Sequence, residues 1–121
     1  MGYEDNIWKV RKLEVPFGIR ASSEVKTDLA RKIAEALPHG SGIDADWVIE
    51  EKGDKIYAYN SFHPMDEWGY YEGWIDFYLV IPKKNPENFK LHFQGNQYLA
   101  RKHMLREYLE DIIAEDLRNI R

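Results

Sequence analysis

The chain has 121 residues, a net charge of −4, 44% hydrophobic and 31% charged residues, and no cysteine. That balance suits one folded domain over 1–121 with a real apolar core, and it excludes a charge-rich disordered chain. Without cysteine there is no disulfide, no thiolate zinc site and no cysteine nucleophile, which fits a reducing, cytoplasmic setting. The opening Met1-Gly2-Tyr3-Glu4-Asp5-Asn6 lacks a basic-then-apolar leader pattern, and no apolar run approaches membrane-spanning length, so no membrane partner is expected.

In chain order, residues 7–17 alternate imperfectly. Trp8 and Val10 share one face, Leu13 and Val15 the other, and Pro16 stops the run. This reads as an edge strand or an extended arm. Ser22-Ser23-Glu24 then supplies capping oxygens and a favourable acid for a helix over 24–37. Val25, Leu29, Ile33 and Leu37 form its apolar stripe, and Pro38 ends it. His39-Gly40-Ser41-Gly42-Ile43-Asp44 is a loop in which Gly40 is expected to cap the helix and Gly42 to permit a turn.

Period-2 runs meeting turn signals predict four strands, over 46–52, 55–62, 73–82 and 88–94. The first two are joined by the tight turn Lys52-Gly53-Asp54-Lys55. A long helix is expected over 97–118, with Leu105, Leu109, Ile112 and Leu117 flanked by Tyr98, Tyr108, Ile113 and Ile120. The predicted fold is α+β: a four-stranded antiparallel sheet, five-stranded if 7–17 joins it, with both helices on one face. Ile75, Phe77, Leu79, Phe89, Leu91 and Phe93 would meet the helices. Tyr57, Tyr59, Trp74, Asp76, Tyr78, Lys90 and His92 would form the outer face, covered by the 62–73 loop and the N-terminal arm or open for binding.

The densest stretch is 60–77, Asn-Ser-Phe-His-Pro-Met-Asp-Glu-Trp-Gly-Tyr-Tyr-Glu-Gly-Trp-Ile-Asp-Phe. Across 62–73 it follows neither a helical nor a strand period, so it is expected to be an ordered loop pinned by its own aromatic rings. Trp68, Tyr70, Tyr71 and Trp74, with Tyr57, Tyr59, His39 and Asp44, are the candidate binding residues. His63, Asp66 and Glu67 are the candidate catalytic set if the protein is a metal-dependent hydrolase, and His63, Asp66, Asp76 and His92 the candidate metal ligands. That spacing matches no established metal motif, and the leading expectation is no catalysis and no cofactor.

Other constellations are weaker. The Gly-x-Gly at 40–42 follows a helix instead of opening one, the wrong order for a phosphate loop. His39, Ser41 and Asp44 suggest a nucleophile, base and orienter, but three neighbouring loop residues rarely reach the geometry that chemistry requires. Glu50-Glu51-Lys52 supplies only half of a nuclease pattern. Lys83, Lys84, Lys90, Arg101, Lys102 and Arg106 suggest a basic patch. Arg101 and Lys102 would sit at the start of the long helix, where the dipole opposes them, which points to an external anion or an acidic protein partner. The acidic total and the lack of a recognition helix argue against double-stranded DNA.

The segments Leu-Pro-His-Gly-Ser-Gly-Ile-Asp-Ala-Asp-Trp at 37–47 and 60–77, with Leu-Ala-Arg-Lys-His-Met-Leu-Arg-Glu-Tyr-Leu-Glu-Asp at 99–111, resemble a group of small uncharacterised proteins carried by bacteriophages and plasmids. The resemblance carries no catalytic residue. It implies a context in which small proteins bind and block a host protein or sequester a host signal. The expectation is a non-enzymatic binding protein whose partner is a protein or a small anionic ligand, with a homodimer as a further option.

Overall fold

The computed structural model describes residues 27–40, 42–44 and 46–120. Its elements are α1 (Asp28–Ala36), β1 (Val48–Lys52), β2 (Lys55–Phe62), β3 (Ile75–Pro82), a 3-10 turn (Pro86–Asn88), β4 (Lys90–Gly95), α2 (Gln97–Lys102) and α3 (Leu105–Arg118). The strands form an antiparallel sheet in the order β1-β2-β3-β4. The fold is the expected α+β arrangement. The expected strand at 7–17, Ser22 and Ser23 as caps, and Val25 lie outside the described residues.

Helix α1 begins later than 24. Thr27 is its N-cap, with extended backbone and a hydroxyl that accepts from the Ala30 amide. The carboxylate of Glu51 accepts from both the amide and the hydroxyl of Thr27, each at 2.9 Å, and from Lys83 at 3.2 Å. One acid of the half-nuclease pattern thus ties the start of α1 to β1 and to the turn after β3. The helix stops at Ala36 with Leu37 extended, as a following proline requires. Gly40 does not cap it. Gly40 and Ile43 exchange backbone bonds at 3.0 Å across a tight turn of their own.

The sheet has two buried faces. On the inner face Ile49, Ile56, Ala58, Phe62, Ile75, Phe77, Leu79, Ile81 and Leu91 pack against Ala30, Ile33 and Leu37 from α1 and Leu105, Leu109, Ile113 and Leu117 from α3. Phe77 is fully buried, in a T-shaped contact with Trp47 at 5.6 Å and a tilted one with Phe93 at 5.9 Å between ring centres. Burying such a ring stabilises by about 1.5–3 kcal/mol. On the outer face Val48, Tyr57, Tyr59 and Tyr78 form a second buried cluster. Tyr59 stands opposite Tyr78 in register and donates its hydroxyl to Glu50, and Tyr78 stacks on His92 at 4.9 Å.

The C-terminal half departs most from expectation. Residues 97–118 form two helices, not one. His103 closes α2, and Met104 sits in the left-handed region, φ 50°, as the N-cap of α3. The buried stripe of α3 runs through Ile113, at strict four-residue spacing from Leu109, and not through Ile112. Among the described residues no helix is long and apolar enough to cross a membrane.

Candidate functional site

The aromatic stretch closes on itself as a small hairpin. The Glu72 amide donates to the Pro64 carbonyl at 2.9 Å, Met65 bridges Tyr71, and the Asp66 amide donates to the Tyr70 carbonyl at 2.8 Å. At its tip the Asp66 carboxylate accepts from the amides of Trp68 at 2.8 Å and Tyr70 at 3.0 Å. An aspartate bonding to the backbone just ahead of itself is a turn former. Gly69, at φ 87°, supplies the left-handed residue that this tight reversal needs.

Of the rings expected to pin the loop, Tyr71 packs against His63, with ring centres 6.5 Å apart. Backbone bonds and one carboxylate hold the rest. Trp68 is 76% exposed, Tyr70 72%, Tyr71 68%, Trp74 63% and Met65 53%. On the flank, Tyr98 and Met104 are also exposed. Isolated exposed apolar residues are ordinary on a protein surface, but four aromatics and a methionine within ten residues are not.

The hairpin leans on the junction of α2 and α3 through Glu72, whose carboxylate takes a bond from the Lys102 ammonium and lies 2.6 Å from His103 Nε2. The Lys102 and His103 contacts hold the Glu72 carboxyl below the usual carboxylate range, and Glu72 raises the Lys102 ammonium in turn. The His103 and Phe62 rings form a T-shaped pair with centres 5.4 Å apart. No local pattern reveals this tether, because Glu72 and its partners are thirty residues apart in sequence. On the other side the 40–43 turn approaches closely. The His63 amide donates to the Gly42 carbonyl at 2.7 Å, and His63 Nε2 stands 3.7 Å from Asp44, beyond hydrogen-bond reach. Between turn, hairpin and helix junction lies a cleft of about 690 Å³ lined by Gly42, Asp44, Phe62, His63, Tyr71 and His103, among others. That size falls in the range of small-molecule sites.

The remaining candidates are scattered. Tyr59 is fully buried and Tyr57 nearly so, and burial pushes the Tyr57 phenol up, so neither ring offers a free face. His39 is exposed beside the turn. Asp66 is engaged by loop amides, Glu67 is exposed at the tip, Asp76 accepts from the Ser61 hydroxyl, and His92 lies on Tyr78. Among the described residues no three histidine or acidic side chains gather as a metal-ligand group.

The basic residues do not form one patch. Lys83 and Lys84 follow β3 at the sheet end that carries the 52–55 turn, whereas Arg101 and Lys102 lie at the hairpin end. Eight strand residues, about 27 Å, separate the two ends. Lys90 is exposed at the start of β4, and Arg106 donates to the Leu91 carbonyl at 3.1 Å while lying over Phe93. The break at 103–104 also places Arg101 and Lys102 in the last turn of α2, where the dipole favours a positive charge. Their position therefore gives no hint of an external anion.

No protein-family model, curated protein or solved structure matches the chain.

Proposed function

We propose that the chain is a non-enzymatic binding protein that engages a protein partner through the 64–74 hairpin, to block a host protein or sequester a host signal. The supporting observation is a surface of Met65, Trp68, Tyr70, Tyr71 and Trp74 held out from a backbone fixed by Asp66 and Glu72. A rigid loop that presents rings loses little entropy on binding, and aromatic anchors dominate interface energetics. The hydrolase alternative has less support, since the carboxylate of Asp66 is occupied with the loop's own amides.

The test is a paired measurement on Trp68→Ala. A partner captured from bacterial lysate and then purified should bind the variant about 2 kcal/mol or more weaker, the scale of an interface anchor. The melting temperature should stay near wild type, because the ring is 76% exposed. Equal losses of affinity and stability would show that the ring serves the fold. Activity abolished by His63→Ala, with a stoichiometric metal in the purified protein, would favour the hydrolase.

A further inference from the structure

We propose that the hairpin selects a cationic partner segment, a stretch of protein rich in arginine or lysine whose charged heads lie over the exposed rings. The proposal rests on the binding role argued above and specifies its chemistry. Two observations converge on it. The first is the set of exposed rings of Trp68, Tyr70, Tyr71 and Trp74. The negative face of an aromatic ring attracts ammonium and guanidinium groups, tryptophan most strongly.

The second is the sign of the surrounding charge. Residues 60–77 carry Asp66, Glu67, Glu72 and Asp76 and no lysine or arginine. Asp66 and Glu67 immediately precede Trp68. Glu67 is exposed, and the Asp66 carboxylate accepts from two amides. Lys102 approaches the loop, where its ammonium pairs with Glu72 and also attracts the Asp66 carboxylate, while Glu67 stays exposed beside Trp68.

The same observations disfavour other occupants. Single-stranded nucleic acid also stacks on aromatic platforms, but it needs a basic groove to carry its phosphates, and here the ring-bearing segment is acidic. A second copy of the chain, docked hairpin to hairpin about a two-fold axis, would bring two acidic segments together. A cationic segment satisfies ring faces and acids together.

The test is selection of random twelve-residue peptides on immobilised full-length protein, with Trp68→Ala as the counter-selection. Peptides lost on the variant should be enriched at least threefold in arginine plus lysine over the starting library. A synthetic copy of the best one should bind at least tenfold more weakly when its basic residues become glutamine. Glu67→Gln should weaken it about threefold, and raising the salt should do the same. Thermal melts of both variants must match wild type. Hairpin-dependent peptides without basic enrichment would overturn the cationic inference while leaving the binding role standing. Peptides indifferent to Trp68→Ala, or none at all, would overturn both. Hairpin-dependent binding of a thymidine oligonucleotide, or a dimer that Trp68→Ala dissociates, would replace the proposed partner with nucleic acid or a second copy.

Discussion

Two groups of aromatic side chains, alike in chemistry, end in opposite surroundings. Tyr57, Tyr59 and Tyr78 on the outer sheet face are buried, while Trp68, Tyr70 and Tyr71 in the hairpin stand in water. The strand tyrosines sit at alternate positions, so each meets a cross-strand neighbour. Tyr59 faces Tyr78, and Tyr78 faces His92. In such pairs the ring itself is the stabilising contact. Beyond the contact of Tyr71 with His63 the hairpin rings have no such lattice, and Asp66 already satisfies the amides of Trp68 and Tyr70. A ring that shapes its own backbone is structural. A ring carried on a backbone shaped by something else is available for other work.

The sharpest way to break this contrast is Tyr59→Ala. It should cost about 3–5 kcal/mol in chemical denaturation, the usual range for deleting a buried ring, and would leave Glu50 without its phenol donor. A midpoint close to that of Trp68→Ala would mean that the two regions do not differ as described.

A smaller effect of opposite sign is expected beside the hairpin. Met104 holds a left-handed conformation while its side chain is 62% exposed. That conformation costs an L-residue about 1–2 kcal/mol, and glycine avoids it at an entropic cost of about 0.5–1 kcal/mol. Met104→Gly should therefore stabilise by about 0.5–1 kcal/mol. A loss of stability would show that the methionine side chain holds the helix junction.

The smallest effect concerns the tether. Glu72 has a depressed carboxyl, from Lys102 first and then His103. Its contribution to stability is present above the ordinary value of 4.5 and is lost as the pH falls through the lower folded-state value. Lys102 is raised by the same contact, so its contribution is present below 10.5 and fades as the pH rises through the folded-state value. In Glu72→Gln the melting temperature should fall less than in wild type at both extremes. Superimposable pH profiles would mean that the contact is screened to nothing, as exposed pairs often are.

Much of this was legible in the sequence. Alternation in 55–62 and 75–82, punctuated by the 52–55 turn, specifies the strands and their faces, and Pro38 specifies the end of α1. The helix break was missed because 97–118 contains no glycine or proline after its start. A signal was nevertheless present. Stepping back by fours from Leu117 gives Ile113, Leu109 and Leu105, then Arg101 and Gln97, so the apolar stripe ends where the helix does. Leu99 and Ala100, buried in α2, belong to a different phase. At the site, the concentration of aromatics marked the right segment, but not which rings were free. That depended on Asp66 bonding within the loop and on Glu72 reaching residues thirty positions away.

The turn beneath the cleft sets a limit on how this chain can vary. Gly42 has φ 94°, and a β-carbon there would come within 3.1 Å of the Phe62 ring and 3.2 Å of the His63 carbonyl. Neither neighbour can yield easily, since Phe62 belongs to the core and the His63 carbonyl is backbone. In a library covering every substitution, position 42 should tolerate glycine alone when cells are sorted for protein abundance. Positions 68, 70 and 71 should accept many residues under that same sort and become restrictive only when cells are sorted for binding. The turn and the hairpin tip would then answer to different selective pressures, so lineages could change the partner at the tip while the turn stays fixed.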